Sequence, residues 1–262
     1  MSAAAAKPHV ERTRQGPVAI LRLCNPPLNP LTAGMRQELL DVCHELAADT
    51  SVRAVVVTAA GRRAFSVGSD IKTFPQSAEE GRRLSESEHA AYAALEQLPQ
   101  PVFAALRGHT LGGGLELALA ADFRVADASA CLGFPEVKIG VFASGGGTQR
   151  LAPLVGLGRA KELLYFGETI SSADAQAIGL VNRVVPDGTS EEAALAWAAQ
   201  LAGLPRRAVR ATKRAVDVGV RAGRGAGHTA EVDEIAELYV SPDAREGARA
   251  FAEKRPARFT HA

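Results

Sequence analysis

The chain has 262 residues, enough for one large domain or a domain with an extension. Hydrophobic residues make up 47% and charged residues 23%, which excludes a disordered or fibrous chain. With 30 basic and 29 acidic residues the net charge is +1, so no overall basic bias points to nucleic acid. Three scattered cysteines, Cys24, Cys43 and Cys131, lack CxxC spacing, and the six histidines lack HExxH spacing. Neither a disulfide framework nor a metal site is expected, and a reducing cytoplasm suits the chain. No apolar run approaches the ~18 to 20 residues needed to span a bilayer.

Residues 1–14 read as an N-terminal tail. Met1 to Val10 is Ala-rich but has neither an apolar h-region nor an Arg-rich pattern, so a frayed end is expected rather than a targeting peptide. Pro17 to Leu23 reads as a strand. Thr32 has the character of an N-cap for a helix carrying Met35, Leu39, Val42, Cys43 and Leu46 at three- and four-residue spacing. Val52 to Thr58 is a β-branched run suited to a strand buried on both faces. Ala59 to Thr73 reads as a loop and Ala78 to Leu98 as a helix. Pro101 to Leu106 and Phe123 to Val125 read as further strands. This β-α-β-α order implies parallel strands joined by crossover helices, an α/β class. From about residue 190 onward only helix patterns remain, and residues 15–200 are separated from a helical region at 201–262. The amphipathic stretches Leu204 to Val220 and Glu231 to Val240 carry more apolar surface than such helices bury alone, which suggests subunit contacts.

The most informative stretch is Gly112-Gly113-Gly114-Leu115-Glu116. Three glycines let a ligand approach main-chain N–H groups, and the apolar run from Leu115 to Ala121 reads as a buried helix starting there. Such an end suits an anion or a developing oxyanion, with Glu116 one turn inside. Equally, the glycines form a turn into a core helix and Glu116 is a buried or capping acid. Three more segments stand beside it: Ala64 to Lys72, with Gly68 turning the chain so as to expose the Ser69 N–H; Phe134-Pro135-Glu136; and Ser144-Gly145-Gly146-Gly147-Thr148-Gln149-Arg150, leading into another helix.

In order and spacing these segments resemble the enoyl-CoA hydratase/isomerase, or crotonase, superfamily. The resemblance runs over roughly residues 15 to 262 and includes Ser172 to Val185 and the ending Phe251-Ala252-Glu253-Lys254-Arg255-Pro256. It implies a crotonase-like spiral of ββα units with a helical C-terminal part that trimerises, alone or as a dimer of trimers. It also implies a thioester carbonyl held by two backbone N–H groups, which by position are Ser69 and Gly113. The enolate formed there would gain roughly 3 to 4 kcal/mol from each donor. Hydratases of the family place two glutamates around one water, and Glu116 and Glu136 fill both positions. Members that only shift a double bond need one acid, at the position of Glu136, so the retained Glu116 favours hydration. For the CoA moiety the matching positions are Val67, Lys72 and Lys254, lysine serving phosphate as a point charge.

Coenzyme A arrives on the substrate, so no separate cofactor or metal is implied. Ser144 departs from the family, standing where a glycine often lines the water site; it leaves the substrate range open, as does the unreadable stretch Phe74 to Ser87. His109 matches no catalytic position and is expected to pack at a strand end. Asp70 and Asp122 are expected to anchor loops, and Arg150 to pair with an acid. The competing readings are another enolate reaction on this scaffold (isomerisation, decarboxylation, hydrolysis or C–C cleavage) and a non-catalytic acyl-CoA-binding member. No GxxxxGK[ST], GxGxxG or GxSxG occurs at these glycines, which removes nucleotide-binding and α/β-hydrolase readings.

Overall fold

A computed structural model describes residues 7–261. The first strand, β1 (His9–Gln15), pairs antiparallel with β2 (Val18–Cys24). A strand therefore stands in the stretch expected as tail; Met1 to Ala6 lie outside the described residues. The pattern HVERTRQ hid it, because β1 is a charged, mostly exposed edge strand with no apolar alternation to read. The helix α1 (Ala33–Ala48) follows, its N-cap Thr32 accepting a hydrogen bond from the Met35 N–H as expected.

From there each turn of the chain adds one strand to each of two sheets and then a helix. β3 (Ala54–Ala59) and β4 (Ala64–Ser66) precede α2 (Ala78–Glu96); β5 (Val102–Leu106) and β6 (His109–Leu111) precede α3 (Gly113–Leu119). β7 (Phe123–Asp127) and β8 (Cys131–Gly133) lead through a short 3-10 turn, Pro135–Ile139, to α4 (Gly147–Val155). Then come α5 (Leu157–Phe166), β9 (Thr169–Ser171), α6 (Ser172–Ala177), β10 (Arg183–Val185) and four helices: α7 (Ser190–Ala202), α8 (Arg206–Ala222), α9 (Arg224–Tyr239) and α10 (Pro242–Ala252). The six-stranded sheet has the order β1-β2-β3-β5-β7-β10 and is parallel beyond its first pair. The four-stranded sheet, β4-β6-β8-β9, is parallel except at β8–β9. This is the ββα spiral that the resemblance implies.

Burial follows the two-residue period of a strand. Val55, Val57 and Ala59 of β3 point into the main core with Leu39, Cys43 and Leu46 of α1. Ala54 and Val56 point the other way, onto Ala194, Ala198 and Ala202 of α7. The helix α7 thus closes the outer face of the large sheet, with Trp197 edge-on to Phe103. Arg124 of β7 is a buried cation that the sequence did not single out. Its guanidinium donates to the carbonyls of Leu180, Ala118 and Ala121, tying α3 to the chain before β10. On α8 and α9 the apolar side chains of Val216, Val220, Val232, Ile235 and Tyr239 are exposed, as the amphipathic patterns predict, and Phe251 of α10 is exposed as well.

Candidate active site

Two backbone amides meet where β4 and β6 end. Gly68, after β4, has φ +83°, and Gly112, after β6, has φ +53°, both in the region that favours glycine. A Cβ on Gly68 would stand 2.7 Å from the Gly113 nitrogen, and one on Gly113 would stand 3.7 Å from the Ser69 nitrogen. The Ser69 and Gly113 amides lie side by side because no side chain separates them. Neither N–H donates to an acceptor among the described residues. For Gly113 this follows from its place at the start of α3, where the first N–H groups have no intrahelical partner. Gly112 is held from behind by its own N–H, which donates to the Gly133 carbonyl of β8 at 3.0 Å.

Two acids flank this pair. Glu116, in the first turn of α3, is only 2% exposed, and its Oε1 accepts the Gly147 N–H at 2.8 Å. A Cβ on Gly145 would stand 2.8 Å from Glu116 Oε2, so the second glycine run is bare because it closes over this carboxyl. Glu136 sits on the 3-10 turn after β8. A Cβ on Gly112 would stand 2.8 Å from its Oε1, and both its oxygens are shut from solvent and bond to nothing among the described residues. Two orphaned buried oxygens beside two unpaired amides form a polar cluster whose hydrogen-bonding capacity the fold leaves unused.

Burial favours the neutral form of both acids. The Glu116 carboxyl is pushed up to about 8, chiefly by desolvation; the Gly147 N–H opposes the shift while nearby Glu88 and Glu136 add to it. Glu136 is also raised, again mainly by burial, with Glu88 adding. Near neutrality the pair therefore keeps a proton, and its titration belongs to the cluster rather than to one residue. A stability consequence follows from the raised Glu116. Between its ordinary value of 4.5 and about 8 the unfolded chain has lost this proton and the folded chain keeps it, so stability falls as pH rises through that window. In Glu116→Gln, whose amide oxygen still accepts from Gly147, that slope should be shallower by the Glu116 contribution, leaving only what the other raised acids give. Urea midpoints of the two proteins across this range check it; parallel curves would contradict it.

Three further residues complete the cluster, and none was singled out from sequence. Glu88 and Tyr92 of α2 and Arg36 of α1 are all buried. The Ser69 hydroxyl donates to Glu88 Oε1 at 2.6 Å and accepts from Arg36 Nη1 at 3.3 Å. The Tyr92 hydroxyl is wholly buried without a partner among the described residues, 3.3 Å from the point a Gly113 Cβ would occupy, and desolvation holds it well above its ordinary range, so it stays a donor. The available signal was an acid and a phenol four residues apart on the buried Ala91–Leu95 face of α2.

The other expected positions fall out differently. Half-buried Val67 precedes Gly68, and Lys72 lies on the exposed 3-10 turn Ile71–Thr73 just after Ser69. Exposed Lys254 follows α10; its N–H donates to the Phe251 carbonyl at 3.2 Å, and its side chain makes no hydrogen bond among the described residues. His109 opens β6 but is exposed rather than packed. Asp70 accepts the Lys72 N–H, Asp122 holds the Val102 N–H and pairs with Lys213, and Arg150 pairs with Glu96, as anchoring roles require. Ser144 is half-buried next to Gly145 and takes the Ser85 hydroxyl on its carbonyl.

The fold and cluster match a class of known proteins. The profile of the enoyl-CoA hydratase/isomerase family matches residues 13–262. The short-chain-enoyl-CoA hydratase of Clostridium acetobutylicum is 34% identical over 244 residues, covering 92% of this chain and 94% of the relative. The crotonyl-CoA hydratase of Syntrophomonas wolfei is 35% identical over 244 residues with the same coverage. Among solved structures, an enoyl-CoA hydratase from Bacillus anthracis superposes with a TM-score of 0.92 at 36% identity, over 97% of this chain and 99% of that one. The chain belongs to the enoyl-CoA hydratase/isomerase family and has the crotonase fold.

Proposed function

We propose that the protein is an enoyl-CoA hydratase that adds water to a trans-2-enoyl-CoA to give a 3-hydroxyacyl-CoA. The observation that carries this reading is the pair of acids, buried Glu116 and Glu136 with its buried carboxyl oxygens, flanking two amides unpaired among the described residues. The Ser69 and Gly113 N–H groups hold the thioester oxygen and stabilise the charge that grows there as the enolate forms. Water sits between the two carboxyls. The ionised member takes one water proton as the oxygen bonds to Cβ, and the protonated member delivers a proton to Cα, so one proton enters and one leaves the pair. One charge is thereby spread over two acids, which is why burial that would be costly for two carboxylates is tolerated for a pair sharing a proton.

Backbone N–H groups, Val67 and Lys72 beside Ser69 suit the CoA end of the substrate. The exposed apolar side chains of α8 to α10 support the homotrimer or dimer of trimers that the resemblance implies, and a second subunit is the means by which Lys254 would join a site. The names of the two relatives, one a short-chain-enoyl-CoA and one a crotonyl-CoA hydratase, make crotonyl-CoA the first substrate to test. The test is the loss of the conjugated-thioester absorbance of crotonyl-CoA on adding the protein. Hydration predicts that the absorbance falls. Unchanged absorbance, with but-3-enoyl-CoA instead gaining conjugation, would make the protein an isomerase.

A further inference from the structure

The Ser69 hydroxyl is not needed for a backbone donor, yet it is the centre of a buried ionic chain. Glu88 Oε1 takes its proton at 2.6 Å and Arg36 Nη1 approaches it at 3.3 Å. The same Arg36 Nη1 donates to the Leu31 carbonyl at 2.8 Å, and Arg36 Nε to the Ser87 hydroxyl at 3.0 Å. Leu31 closes the loop, because its N–H donates to the Gly68 carbonyl at 2.9 Å. That carbonyl belongs to the peptide unit whose N–H is the Ser69 amide. Holding the carbonyl on one side aims the N–H to the other, toward Gly113. Restraint is needed here: with φ +83° and no Cβ, Gly68 is the residue in the loop about which a peptide unit turns most readily.

We propose that Arg36 and Glu88 are positioning residues that clamp Ser69 from its side chain and so keep its amide aimed at the substrate carbonyl. The inference rests on the reading of Ser69 and Gly113 as thioester donors. Neither Arg36 nor Glu88 exchanges a proton with substrate in this role; they work through the Ser69 hydroxyl. Arg36 comes from α1, Glu88 from α2 and Ser69 from the loop between the sheets, so the clamp also couples the packing of α1 against α2 to the aim of one amide.

Infrared difference spectra of bound butyryl-CoA, carbon-13-labelled at the thioester carbonyl, read the clamp without any turnover. In the wild type the carbonyl band is expected to move to lower frequency on binding, as two N–H groups polarise it. In Ser69→Ala, which keeps the amide and removes only a hydroxyl, and in Glu88→Ala, the band should shift back toward that of free thioester. In the same variants kcat should fall about 10- to 100-fold, with KM within about threefold, as expected for a donor displaced by a fraction of its reach. Glu88→Gln offers the Ser69 hydroxyl a neutral acceptor and should restore both band and rate to near wild type. Wild-type bands and rates in Ser69→Ala and Glu88→Ala would overturn the clamp while leaving the donors in place. A Glu88→Gln variant as impaired as Glu88→Ala would overturn it in favour of a role for the Glu88 charge. A wild-type band that does not move on binding would remove the thioester-donor reading itself, and the clamp with it.

Discussion

Glu136→Gln is expected to lower kcat for hydration by about 10²- to 10⁴-fold, the span typical of losing a general acid or base. The substitution is nearly isosteric, and Glu136 makes no side-chain hydrogen bond among the described residues that the fold would miss. Its cost should therefore fall on chemistry and leave the urea midpoint close to wild type. Burial raises the Glu136 carboxyl, which helps it hold a proton for transfer; the amide of Gln cannot exchange one. Initial rates with crotonyl-CoA, read with a far-ultraviolet circular dichroism spectrum for folding, decide the matter. A folded variant within about tenfold of wild type would show that Glu136 only fills space against Gly112. Glu116→Gln separates the two family chemistries: it should abolish hydration equally, whereas a double-bond shift served by Glu136 alone would survive it.

Gly68→Ala should be as damaging by a different route. The new methyl group would stand 2.7 Å from the Gly113 nitrogen, one of the two amides proposed to hold the thioester oxygen. Something must shift, and what is nearest is backbone, so the displaced group is one of the two donors. Loss of one oxyanion donor costs about 10²- to 10³-fold in kcat. The substitution also forces an L side chain to φ +83°, which by itself costs about 1 to 2 kcal/mol of stability. Gly188→Ala controls for that strain: its φ is +78°, and a Cβ there meets nothing within 4 Å. It should lose comparable stability and keep its rate. If Gly68→Ala retained turnover within a few-fold of Gly188→Ala, the Gly68–Gly113 gap would not be the thioester site.

The parts of this molecule that were legible in sequence share a physical reason. β3 and β5 are buried on both faces, so continuous apolar runs betray them, and Thr32 marks α1 because its hydroxyl meets an N–H that no other group satisfies. The glycine runs were legible because glycine stands where a Cβ would meet a carboxyl or an amide, and such positions admit no substitute. β1 was invisible for the opposite reason: as an exposed edge strand it carries charges where periodicity needs apolar residues. β6, β8 and β9 are three residues each, too short to repeat any pattern.

Within the site, the structure brings Glu116, Glu136, Ser69 and Gly113 together, since each lies on or beside a glycine segment that constrains its backbone. Arg36, Glu88 and Tyr92 did not announce themselves, because each occupies one turn of an otherwise ordinary amphipathic helix. Only the packing of α1 and α2 shows that those turns face the amides rather than water. Lys254 illustrates the remaining gap: it is exposed just after α10, and no contact among the described residues ties it to the amides.

In the proposed reaction Glu116 and Glu136 direct a water molecule onto Cβ of an enoyl thioester. Turnover of crotonyl-CoA in water enriched in heavy oxygen, followed by mass spectrometry of the intact thioester, tests it most directly. The expected product is a 3-hydroxyacyl-CoA carrying one heavy oxygen at Cβ, and one solvent deuterium at Cα when the reaction is run in deuterated water. Both labels should be lost together in Glu116→Gln and in Glu136→Gln. Turnover to a thioester without solvent oxygen, or heavy oxygen appearing in a released carboxylic acid, would contradict it.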